Sequence, residues 1–89
     1  MATLCVHGPL KTLAGGRAEH ELAADTVGAL LAALQAEHPA LRGWVLDERA
    51  HLRRHINIYV NGERGRIDTL VAEGDRVEVL PAISGGDAV

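Results

Sequence analysis

The residue types able to do chemistry in this sequence are few. Cys5 is the single thiol. A reactive thiolate needs a nearby cation, base or helix N-terminus to lower its pKa. His7 sits two residues on, on the same face of a strand, so a pair is geometrically possible. A strand supplies no helix dipole, and Cys5 reads as a structural cysteine. His51 and His55 are spaced i, i+4, which suits a shared metal only on a helix. His55 opens a strand-like run, so these histidines, with His20 and His38, read as solvated. Arg49, Arg53 and Arg54 cluster beside them, either as a solvated face or as a dock for an acidic patch on a partner. No phosphate loop, Ser/His/Asp set or catalytically spaced carboxylate pair emerges. The remaining candidate is Gly85-Gly86, three residues from the last position given.

These residues must be positioned by a small set of elements. Ala2 to His7 alternate, with Leu4 and Val6 on one side, and predict a strand. Gly8-Pro9 breaks it, and residues 10 to 16 read as a loop closing on Gly15-Gly16. A second strand is expected over residues 17 to 22. Thr26 is a good N-cap for a helix whose Val27, Leu30, Leu31 and Leu34 share one face. His38-Pro39 ends it, since the residue before proline is pushed out of the α region. Leu41, Trp44 and Val45 suggest a short helical turn packed on the core, and residues 47 to 54 read as polar and exposed. Ile56, Ile58 and Val60 alternate inward, and Asn61-Gly62 is a strong turn signal. Ile67 and Leu70 are expected to anchor an irregular connection. After a turn at Gly74-Asp75, Val77 and Val79 point inward on a last strand that Pro81 ends. One helix with one apolar stripe needs a sheet to cover it, which predicts a two-layer α+β domain over residues 1–81 with a flexible tail over 82–89.

Composition narrows the function classes. Acids outnumber bases 12 to 9, so no basic surplus exists to neutralise nucleic-acid phosphates. Trp44 and Tyr59 are the only aromatics besides histidine, which removes base-stacking platforms and implies an aliphatic core. No apolar run approaches the roughly 20 residues of a membrane span, no secretory signal is visible, and one cysteine makes no internal disulfide. A cytoplasmic protein is the expectation.

Several ordered segments resemble one family. Leu10 with Leu13-Ala14-Gly15, then Thr26-Val27, Leu30-Leu31, Leu34 and Pro39, then Asn57-Ile58-Tyr59-Val60-Asn61-Gly62 each match a part of it. Gly74-Asp75-Arg76-Val77 and Leu80-Pro81-Ala82-Ile83-Ser84-Gly85-Gly86 complete the pattern. Together they resemble the MoaD/ThiS-type ubiquitin-like sulfur carriers of β-grasp fold, almost end to end. The resemblance implies a carrier rather than an enzyme, with no bound cofactor. An E1-like adenylating enzyme would use ATP to activate the Gly86 carboxylate. Its conversion to a thiocarboxylate would then supply sulfur to a biosynthetic synthase. Asp87-Ala88-Val89 departs from the pattern, because Gly86 cannot be activated while its carbonyl is in a peptide bond. The resemblance therefore implies cleavage between Gly86 and Asp87, as a metallopeptidase performs for some related carriers.

The tail residues suit such a role physically. Gly85 and Gly86 carry no side chain to clash in a narrow channel, Ala82, Ile83 and Ser84 keep the approach slim, and Pro81 sets the exit direction. Tyr59 and Leu80 fall on the outward side of their strands, where alternation predicts an exposed, partly apolar patch joined by Cys5. With Pro81 they are the candidates for partner contact. A non-covalent β-grasp interaction module whose tail is never processed is the alternative. Neither nucleic acid nor membrane is expected as a partner.

Overall fold

The structure, a computed structural model, describes residues 1–81; the expected tail over 82–89, with every assignment made to it, lies outside the described residues. Leu4 and Val6 put two fully buried aliphatics on one side of β1, Ala2–Val6. Gly8-Pro9 ends the strand, but the same dipeptide starts α1, Pro9–Leu13, where a loop was expected. Proline fits at a first helical position, whose N–H has no helical acceptor. Five residues with one buried side chain, Leu10, leave no stripe for periodicity to detect. The second strand, β2, is Glu19–Leu22, shorter than expected.

The main helix α2, Val27–Glu37, has its N-cap on Thr26, whose Oγ1 accepts from the Ala29 N–H at 3.1 Å. Val27, Leu30, Leu31 and Leu34 are its buried residues. Gly28 allows a close crossing: its N–H donates to the Ile67 carbonyl at 2.8 Å, and a Cβ there would lie 3.1 Å from that oxygen. A 3-10 turn, Pro39–Leu41, follows. The Trp44 N–H donates to the Leu41 carbonyl at 3.0 Å, and Gly43 has φ +83°. This tight turn buries Leu41 and Val45 but swings Trp44 outward to 46% exposure, against the expected core contact.

Strand β3, Ile56–Val60, turns at Asn61-Gly62 into β4, Glu63–Gly65. Both turn residues have positive φ, 51° and 87°, as a two-residue hairpin requires. Strand β4 was not expected, since three residues are too few for alternation to register. In the next connection Leu70 is 77% exposed and bridges Thr26 only through its backbone, while Val71 is buried in its place. The final strand is β5, Arg76–Pro81.

The sheet order is β2-β1-β5-β3-β4, with β1 and β5 parallel and every other neighbouring pair antiparallel. Helix α2 lies across one face, where its leucines join Leu4, Val6, Ile56, Ile58, Val77 and Val79 in one aliphatic core. This is the β-grasp arrangement, and among the described residues it leaves the other face of the sheet free of helices.

Candidate functional site

The helix-free face is built from residues of outward parity on adjacent strands. Thr3 and Cys5 lie on β1, Arg76, Glu78 and Leu80 on β5, and Asn57 and Tyr59 on β3. Register sets Cys5 beside both Glu19 and Glu78, Tyr59 beside Glu78 and Arg64, and Leu80 beside Asn57. Arg76 spans the centre, with its Nη2 3.1 Å from Glu19 Oε2 and its Nε 3.4 Å from Glu78 Oε2. His7 Nε2 lies 3.8 Å from Glu78 Oε1.

Cys5 belongs to this face by parity yet is 1% exposed, so it does not join an exposed patch as expected. Burial pushes its thiol above the usual range, and the pull of Arg76 in the other direction is smaller. A buried thiol held protonated is a poor nucleophile.

Tyr59, Leu80 and Pro81 are half-buried rather than open. Among the described residues the exposed large hydrophobics are Met1, Trp44 and Leu70, none of which lies within a strand of the sheet. The face is thus a charged lattice with a narrow apolar margin at Tyr59 and Leu80, not the exposed apolar patch that alternation suggested. Cross-strand neighbours about 5 Å away account for the partial cover. Pro81 pairs with Ile56 at the end of β5. Ala82, Ile83, Ser84, Gly85, Gly86 and Asp87 lie outside the described residues.

The start of β5 is held by polar contacts between residues that the sequence marks only as turns. Asn61 Oδ1 accepts from the Arg76 N–H at 2.9 Å, and its Nδ2 donates to Asp75 Oδ1 at 3.0 Å. Asp75 Oδ2 accepts from the Ala72 N–H at 2.8 Å. The Ala72 bond, followed by that of Asn61, holds the Asp75 carboxyl below its ordinary range. The two turns are thereby tied together, which sets the line along which β5 runs to Pro81.

The histidines divide. His20 is 2% exposed, not solvated as expected. Its Nε2 donates to the Arg17 carbonyl at 2.8 Å, and its ring meets His38 edge-on at 5.3 Å between centroids. Alternation held the signal, because His20 shares parity with the buried Leu22. His51 and His55 are exposed, and among the described residues no group of three or more metal-ligating side chains forms. No described helix is long and apolar enough to cross a membrane.

The family model for the ThiS family matches residues 5–86. The chain belongs to the ThiS family. This ThiS-family chain is 33% identical over 90 residues to the sulfur carrier protein CysO of Mycobacterium tuberculosis, covering 94% of this chain and 97% of that protein. It is 41% identical over 61 residues to small archaeal modifier protein 1 of Haloferax volcanii, covering 68% of this chain and 70% of that one. Among solved structures, one chain in the crystal structure of the Amycolatopsis orientalis BexX/CysO complex superposes with a TM-score of 0.86. That match has 30% identity and covers 97% of this ThiS-family chain and 100% of the other.

Proposed function

We propose that this chain is a sulfur carrier acting through a C-terminal thiocarboxylate on Gly86, formed after Asp87-Ala88-Val89 is removed. The observation that carries the reading is the extent of the family match, which runs through the diglycine and ends on Gly86. Its relatives include a protein named as a sulfur carrier.

The chemistry is a two-step exchange at one carbonyl carbon. A peptidase hydrolyses the bond between Gly86 and Asp87 and leaves a Gly86 carboxylate. An E1-like partner places that carboxylate against ATP. One carboxylate oxygen attacks the α-phosphorus, pyrophosphate leaves, and an acyl-adenylate forms. A sulfur nucleophile at the sulfide level then attacks the carbonyl, AMP leaves with the oxygen, and the thiocarboxylate remains. A synthase accepts the sulfur. The carrier's own part is to present a slim terminus: Gly85 and Gly86 keep the backbone free of side chains, and Pro81, paired at the end of β5, starts it from a fixed point. Tyr59, Leu80 and the charged face around Arg76 supply the surface against which the activating enzyme sits.

The test is ATP–pyrophosphate exchange with an E1-like partner, using the chain with and without residues 87–89. Exchange is expected only from the chain ending at Gly86. Equal exchange from both forms would remove the processing step.

A further inference from the structure

The arginines around the α2–β3 connection take no part in the tail chemistry, and the fold gathers them. The connection doubles back through a bridge between Leu46 and Leu52, and the Arg53 N–H donates to the Val45 carbonyl at 2.9 Å. Arg42, Arg49 and Arg53, with His51, thereby line an open groove of about 880 Å³ against α2. All three arginines are exposed, and among the described residues none lies within 4.0 Å of a carboxylate. Arg76 on the sheet is by contrast paired with Glu19 and Glu78. Two acids, Asp47 and Glu48, also line the groove; Asp47 Oδ1 is turned to the backbone, accepting from the N–H groups of Arg49 at 2.8 Å and His51 at 2.9 Å, so the three guanidiniums and His51 outnumber the carboxylates.

Three unpaired guanidiniums on one groove are fork-shaped donors matched to carboxylate or phosphate. Asp47 and Glu48 share the groove, the chain carries a net charge of −3, and His51 is the one ring on the walls, with no Phe, Tyr or Trp beside it for base stacking. These disfavour a nucleic acid, which needs an extended positive surface. The open shape does not enclose a small ligand, as a small-molecule site does. A locally positive groove on an acidic chain fits, and orients, a carboxylate-bearing protein segment.

We propose that this groove docks an acidic peptide segment of a protein partner, with Arg42, Arg49 and Arg53 taking its carboxylates. The docking does not depend on whether Gly86 is activated, but its location is apt for a client of the tail. Arg53 accepts at its carbonyl from the Ile56 N–H at 3.0 Å, and Ile56 pairs with Pro81. The backbone of Arg53 is thus one turn from the strand residue that pairs with the end of β5.

The test uses the full chain labelled with nitrogen-15, titrated at low salt with a blocked peptide of alternating Glu and Ala. Its Gln counterpart, inorganic phosphate and a single-stranded oligonucleotide are titrated in parallel. The Glu peptide is expected to shift the amides of residues 42–53 and to be weakened by added salt. Replacing Arg42, Arg49 and Arg53 together by Gln should weaken it about tenfold, as loss of charge-assisted bonds demands. Arg53→Gln alone should give a smaller loss and serves if the triple variant fails to fold; Lys11→Gln, at an exposed cation outside the groove, should bind as the parent does. Shifts absent from 42–53, or equal with the Gln peptide or the arginine variants, overturn the proposal. So does stronger binding of phosphate or the oligonucleotide at the same residues.

Discussion

Cys5 shows how a single side chain can share a functional face without serving it. Its parity sets it on the helix-free side, between Glu19 and Glu78, while burial holds its thiol protonated. Folded protein at neutral pH should therefore resist iodoacetamide, and labelling should appear only with denaturant. Rapid labelling of the folded chain would show that the face opens. On the opposite side Leu31, 3% exposed, represents the helix stripe. Leu31→Ala should cost about 2–5 kcal/mol in denaturant melting, and a much smaller loss would mean that α2 packs less closely than its burial indicates. His20 and Leu70 mark where residue type misleads. Histidine is usually placed outside and leucine inside, yet strand parity buries the first, and a backbone bridge to Thr26 leaves the second exposed.

At the scale of elements, legibility follows length and periodicity. Helix α2 was readable because four aliphatics share one face over three turns, and β3 and β5 because each alternates before a turn or a proline. The five-residue α1 and the three-residue β4 each complete fewer than two repeats of their patterns, 3.6 and 2 residues, so only the fold could reveal them. The candidate site divides in the same way. Tyr59 and Leu80 were placed on their face by alternation alone. Arg42 could not be joined to Arg49 and Arg53, because the Leu46–Leu52 bridge that brings them together has no sequence signal. The Asn61 and Asp75 turns were legible as turns, but their mutual hydrogen bonds were not. Those bonds favour ionised Asp75, whose folded-state pKa lies below its ordinary 3.8. The stability they contribute is present above pH 3.8 and is lost as pH falls from there through the lower folded value. Asp75→Asn should lower the thermal midpoint at neutral pH and make the loss between pH 4 and 2 shallower than in the parent, read by melts across that range. A variant with an unchanged acid profile would show that the turn does not need the charge.

As a whole molecule the chain divides its labour between two sides. The aliphatic core holds α2 against one side of the sheet, and the other side offers charged and half-buried groups beside the strand that leads to Gly85-Gly86. A family match that takes in the diglycine, beside a sheet face free of helices among the described residues, fits the proposed carrier role. The most direct measurement is the intact mass of the chain ending at Gly86 after incubation with an E1-like enzyme, ATP and a sulfur source. The carrier account predicts a mass gain equal to sulfur replacing one oxygen, lost on mild hydrolysis and absent when residues 87–89 are retained. An unchanged mass under conditions in which the same enzyme loads its own carrier would contradict it.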